Sequence, residues 1–201
     1  MPLFRTHRIG KENTADEDVA LVKRLRSGDD FALNEIMHRY KERVYRLAWR
    51  YMGNEDSALD VTQETFTKLY FNIDKYDSAY KFSTWVFQIA VNLCRDHLRK
   101  NKNHARNISL DALNESGAGD WQRSDENIEA GFLSRQQLTL LQKEIDLLSD
   151  TLKEAFILFA VEERTQVECA AILNVSAKTV ETRVYRARKI LSEKLQLSFE
   201  G

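Results

Sequence analysis

The stretch from Thr165 to Lys189 constrains the fold more than any other part of the chain. Thr165 and Glu168 stand at capping-box spacing, so each can satisfy a backbone N–H left free at a helix start. The helix they open carries Ala170, small enough to let a second helix come close. After the apolar pair Ile172-Leu173 comes Asn174, a residue that tolerates the left-handed backbone of a tight interhelical turn. Ser176 can then cap the second helix, with Val180, Val184 and Ala187 at helical spacing on its inner side. Lys178, Arg183, Tyr185, Arg186, Arg188 and Lys189 fall mostly on the other side, within reach of phosphates and base edges. The pattern predicts a helix-turn-helix that places a basic helix in a DNA major groove. An ordinary helical hairpin with a solvated basic face is the competing reading.

Upstream, apolar residues recur at helical period and no strand alternation, internal repeat or glycine-rich phosphate loop occurs. Asp16 is the expected cap of a short helix through Val19, Ala20, Val22 and Leu25 that Gly28 ends. Asp29 or Asp30 starts a longer one, with Phe31, Ile36, Met37, Tyr40, Val44, Leu47, Ala48 and Tyr51 inward, and Gly53-Asn54 stops it. From about Asp56 to Phe71 the inward set is Ala58, Val61, Thr62, Thr65, Phe66, Leu69 and Tyr70. Ser83 is the expected cap of a central helix to about Lys100, apolar nearly all round as far as Cys94. Residues 101–124 are rich in Asn, Ser, Gly and Asp and read as a linker. Helical period resumes through Ile128, Phe132, Leu138, Leu141, Ile145 and Leu148, and Thr151 with Glu154 suggests a second capping box. The expected architecture is all-α. An unstructured extension (1–15) precedes a helical domain (16–102), a flexible linker (103–124) and a helix-turn-helix domain (125–197).

With 43% hydrophobic and 30% charged residues, the 201-residue composition is that of a soluble globular protein. No apolar run is long enough to span a bilayer, and the N-terminus lacks a signal-type core, which points to the cytoplasm. The net charge of −1 is unexpected for a DNA binder, but it is unevenly spread. Positive charge collects at residues 95–102 and 183–194, and acidic residues collect at 111–129. Phosphate neutralisation drives non-specific binding, so a near-neutral total argues for weak DNA affinity alone and for work inside a larger complex. Cys94 and Cys169 have no metal-type spacing and sit in apolar helical patterns, as buried free thiols do. His7, His38, His97 and His104 also lack ligand spacing, and no nucleophile has an activating neighbourhood. No catalytic residue, metal, cofactor or small-molecule substrate is expected.

Two further clusters carry recognition chemistry. Asp60, Gln63 and Glu64 share one helix face, either a docking surface for a basic partner or merely a solvated face. Tyr76, Tyr80, Phe82 and Trp85 stand beside Lys75 and Lys81. Rings that stack on unpaired bases, next to cations that follow the backbone, suit single-stranded nucleic acid. Core filling is the bland alternative, favoured for Phe87 and evenly balanced for Tyr76 and Tyr80.

Three ordered motifs, at residues 56–66, 82–99 and 180–188, together resemble the extracytoplasmic-function sigma factors of bacterial RNA polymerase. The likeness runs from about Asp16 to Leu195. It implies that Asp60, Gln63 and Glu64 bind the clamp coiled coil of the largest subunit of core RNA polymerase. It further implies that Asn72, Tyr76, Tyr80, Lys81, Phe82, Trp85, Asn92, Arg95 and Arg99 take the melted minus-ten element, a flipped base lying in the loop from Asn72 to Ser83. Ser176, Lys178, Thr179, Glu181, Thr182, Arg183, Tyr185, Arg186 and Arg188 would read the minus-thirty-five element as duplex. An anti-sigma protein is the implied regulatory partner. The chain departs from the family at Glu163 and Arg164, which replace a frequent Gly and apolar residue. It departs again at Glu181, where a basic residue is common. A glutamate there repels phosphate but can accept from cytosine N4. A stand-alone repressor or activator, or a pure protein-interaction module, are the readings that compete.

Overall fold

The computed structural model describes residues 14–107 and 140–199, and every regular element among them is helical. The N-terminal half contains α1 (Thr14–Arg26), α2 (Phe31–Met52), α3 (Glu55–Phe71), a 3-10 turn at Ile73–Lys75, and α4 (Phe82–Asn107). The C-terminal half begins with helical residues 140–146. It continues through α5 (Asp150–Phe156), a wide turn at Ile157–Val161, α6 (Gln166–Leu173) and α7 (Ala177–Phe199). The all-α expectation holds. Residues 103–107, expected as linker, continue α4, and the remainder of that stretch lies outside the described residues, as do Ile128, Phe132 and Leu138.

Helix α2 is the hub. Its stripe Ala32, Ile36, Tyr40, Val44, Leu47, Ala48 and Tyr51 is buried against α1, α3 and α4. Gly53 closes it in the left-handed conformation (φ 71°), its N–H donating to the Trp49 carbonyl at 2.8 Å. Asn54 then opens α3 by accepting from the Ser57 N–H at 2.9 Å. Thr62 and Thr65 are buried in α3 without penalty, because each hydroxyl donates to the carbonyl four residues back.

Several local expectations shift. Phe31, assigned inward, is 76% exposed, because the buried stripe begins one residue later at Ala32. Tyr70 lies along the surface with its hydroxyl donating to Asp30. Helix α1 starts at Thr14, which leaves Asp16 inside it rather than at its cap. The Lys81 carbonyl already accepts from Thr84 and Trp85, so α4 begins before Ser83, and Ser83 is not a cap. Nor do Thr151 and Glu154 form a capping box. The Ser149 carbonyl takes the Leu152 and Lys153 N–H groups, and Glu154 turns away to Arg95. Cys94 and Cys169 are buried free thiols, and burial pushes both up to about 12, which keeps them protonated at neutral pH.

Candidate nucleic-acid interface

The helix-turn-helix forms as its residues dictate. Thr165 Oγ1 accepts from the Glu168 N–H at 3.2 Å, and Glu168 Oε2 accepts from the Thr165 N–H at 3.0 Å. Asn174 takes the left-handed turn (φ 55°, ψ 51°), and the Ser176 hydroxyl accepts from the Thr179 N–H at 3.1 Å. Val180, Val184, Ala187 and Leu191 are buried, which points Lys178, Glu181, Thr182, Tyr185, Arg186 and Arg188 to solvent, with Thr179 and Arg183 half-buried. Glu181 pairs with Lys178 at 3.0 Å, each neutralising the other's field at the start of the helix. Arg188 lies 5.5 Å from the Phe159 ring centre, which aims it across the face of α7.

In the loop before α4 the aromatics divide. Tyr76 and Phe82 are buried, their rings meeting edge-on at 5.2 Å, and Tyr76 lies 5.4 Å from Trp85. Packing therefore removes Tyr76 and Phe82 from the surface where a base could stack. Tyr80 stays 62% exposed and Trp85 half-buried. The Tyr76 hydroxyl donates to the Tyr80 carbonyl at 2.6 Å, and the Asn72 side-chain amide donates to the Lys68 carbonyl at 2.8 Å. Further along α4, Asn92 is exposed, and Arg99 is exposed but paired with Asp96 at 3.0 Å.

On α3, Asp60 and Gln63 are exposed and Glu64 is half-buried, all near exposed Leu59. Partial desolvation raises the Glu64 carboxyl, but hydrogen bonds from His97 and Lys68 outweigh it and hold the group below its usual value. His97 thus has a packing role between α4 and α3.

The two halves touch, α6 lying on α4. Ion pairs cross the contact: Arg95 binds Glu154 through two bonds of 2.7 Å, Arg50 binds Glu162 at 2.6 Å, and Lys81 binds Glu168 at 2.9 Å. Lys153 Nζ donates to the Tyr51 carbonyl across the same seam. Between them Arg164 is buried with its guanidinium 4.0 Å from the Phe87 ring centre. Arg164 Nε and Nη2 find no hydrogen-bond partner among the described residues, and desolvation lowers its pKa. The preceding residue, Glu163, takes a left-handed φ of 53°, a conformation that suits glycine better. Lys81 and Arg95, two cations assigned to the minus-ten strand, are thus occupied by carboxylates of the helix-turn-helix half. Sequence reading missed Glu154, Glu162 and Arg50 as contact residues. The one available signal was the pair Glu163-Arg164 standing where glycine and an apolar residue are frequent.

Residues 36–104 match the family described as Sigma-70 region 2, and residues 138–191 match Sigma-70, region 4. The chain is 33% identical over 181 residues to the ECF RNA polymerase sigma factor SigW of Bacillus subtilis (strain 168), covering 87% of this chain and 95% of that protein. It is 30% identical over 181 residues to the ECF RNA polymerase sigma-E factor of Escherichia coli (strain K12), covering 89% and 94%. Among solved structures, CnrH in complex with the cytosolic domain of CnrY matches with a TM-score of 0.67 and 26% identity, covering 90% of this chain and 99% of that one. With both conserved regions present in order and the relatives spanned nearly end to end, the chain belongs to the extracytoplasmic-function sigma factors, the promoter-directing subunits of RNA polymerase.

Proposed function

We propose a division of labour among four surfaces. The Asp60, Gln63 and Glu64 face of α3 docks on the clamp coiled coil of core RNA polymerase. The loop from Asn72 to Lys81 takes an unpaired minus-ten base, with Tyr80 and Trp85 as the stacking surfaces. Asn92, Arg95 and Arg99 follow the backbone of the same strand. The outer face of α7, from Ser176 to Arg188, reads the minus-thirty-five duplex. The observation that carries this reading is the capped helix-turn-helix, which rigidly presents α7 with its cations outward.

The energetics are in proportion. Unstacking costs a few kcal/mol per base step, and stacking on an aromatic side chain returns roughly 1–3 kcal/mol per base. Two available rings can therefore hold a strand open with help from backbone contacts. The protein initiates transcription without being an enzyme itself, works in the cytoplasm, and needs no metal, cofactor or small-molecule substrate. Among the described residues no helix is long and apolar enough to cross a membrane. An anti-sigma protein that covers the polymerase- and DNA-binding faces regulates it, a reading supported by the likeness to CnrH bound to CnrY. Reconstitution with core polymerase tests the whole. Promoter-specific start sites that appear only when the chain is added are the expected result. Tight duplex binding by the chain alone, with no effect on polymerase, would instead make it a stand-alone regulator.

A further inference from the structure

We propose that Arg26 is a positioning residue for the minus-ten loop and, through that loop, helps to decide which unpaired base is accepted. The inference rests on the reading above, that residues 72–81 hold such a base.

Arg26 is the last residue of α1, yet its side chain serves a segment 47 to 50 positions further on. Nε and Nη2 donate to the Ile73 carbonyl at 3.2 and 3.0 Å, and Nη2 also donates to the carbonyls of Asp74 at 3.3 Å and Tyr76 at 2.5 Å. These three carbonyls belong to the 3-10 turn Ile73–Lys75 and the residue that leaves it. The Ile73 carbonyl already accepts from the Tyr76 N–H at 3.2 Å and takes Arg26 on its second lone pair, and the guanidinium also serves Asp74 and Tyr76 at the open end of the turn. A single planar fork of N–H groups gathers them, which a lysine's compact ammonium cannot do with the same geometry. The Asp74 carboxylate lies 3.9 Å away and is 89% exposed, so the hold is on backbone and not on an ion pair.

What is held is the anchor of the loop. Tyr76 leaves the turn in an extended conformation (φ −68°, ψ 125°) and buries its ring against Phe82 and Trp85. Its hydroxyl then donates to the Tyr80 carbonyl. One tyrosine is therefore fixed at its carbonyl by Arg26 and in turn fixes Tyr80 through its hydroxyl, leaving the Tyr80 ring in solvent. The base of α1 is independently secured, because buried Asp18 accepts from Arg39 and from the Tyr40 hydroxyl. Arg26 is thus not required to dock α1. Among the described residues its side-chain hydrogen bonds go to the 3-10 turn and the loop it opens.

The test uses the full chain assembled with bacterial core RNA polymerase, and single-stranded DNA with a randomised stretch as probe. Wild type, Arg26→Ala, Arg26→Lys, Tyr76→Phe and Tyr80→Ala are compared for base selection, core affinity and cooperative thermal unfolding. Arg26→Ala is expected to lose about tenfold in preference at one base position, with core affinity kept within about twofold. Arg26→Lys should fall between it and wild type. Tyr76→Phe, which removes one hydroxyl and cannot unseat α1, should lose preference at the same position. If Arg26→Ala and Tyr76→Phe select the same base as strongly as wild type while Tyr80→Ala does not, the role of Arg26 is overturned and the loop assignment stands. If Tyr80→Ala also selects as wild type does, the loop assignment falls and the inference falls with it.

Discussion

Replacing Glu154 by alanine should make the protein bind DNA better. Arg95 cannot serve Glu154 and a phosphate at once, so closure of the two halves and binding of the strand compete for one guanidinium. The Glu154 side chain is only 7% exposed and Arg95 35%, which makes this the best-formed of the cross-seam pairs that involve an assigned DNA contact. Breaking a fully buried pair costs about 3–5 kcal/mol, because it leaves an uncompensated charge. Arg95, however, can turn to water, and a hydrogen-bonded contact to a charged group is worth about 1.5–3 kcal/mol. Taking about 2 kcal/mol, Glu154→Ala shifts the ratio of closed to open chain by about 30-fold. Where the closed form dominates, single-strand affinity rises by up to that factor. Fluorescence anisotropy with labelled single-stranded DNA measures the affinity, and small-angle scattering measures the opening as an increased radius of gyration. Unchanged affinity together with an unchanged radius would refute the competition argument.

Asp60→Ala combined with Gln63→Ala should weaken core-polymerase binding in a pull-down while the thermal unfolding midpoint stays unchanged, since both side chains are exposed. Arg186→Ala should weaken upstream duplex binding by about 1–3 kcal/mol in a footprinting titration if the contact is bidentate to guanine. Arg164→Met should stabilise the chain to denaturant by about 1 kcal/mol, because two unpartnered buried nitrogens cost more than the contact with Phe87 and the long 3.4 Å bond from Nη1 to the Ser83 hydroxyl return. Acid should act through Glu168. Burial raises its carboxyl, but Lys81 and the Thr165 backbone and hydroxyl outweigh this and hold it at about 2. A folded pKa below the unfolded one means a contribution that is complete above about 4.5 and fades as the pH falls through about 2. Chemical denaturation across that window should find the stability gap between wild type and Lys81→Met closing as Glu168 becomes protonated.

The helix-turn-helix was legible because everything that builds it is local. Thr165 meets Glu168 three residues away, Asn174 turns on its own backbone preference, and Ser176 caps the helix it begins. The helical stripes of α2 and α3 were readable for the same reason, apart from their ends. Beyond helix ends and caps such as Asp16 and Ser83, what failed depended on distant partners. Glu154 looked like a capping residue until Arg95, 59 positions earlier, claimed it. The pair Arg50–Glu162 spans 112 positions, and no periodicity reports such a contact. Tyr76 and Tyr80 sit in the same polar loop with the same side chain, and only packing against Phe82 and Trp85 decides which ring is hidden. Burial of an aromatic in a loop is a tertiary outcome, and sequence pattern alone left it balanced.

The Arg164 guanidinium, pressed against Phe87 with two nitrogens unserved, makes closure of the two halves cost the hydration of a charge. A leucine in its place would weld the seam, and a partner would then have to supply far more binding energy to prise it open. Arg164 regains its hydration whenever the halves part, so the residue that fills the seam also lowers the work of opening it.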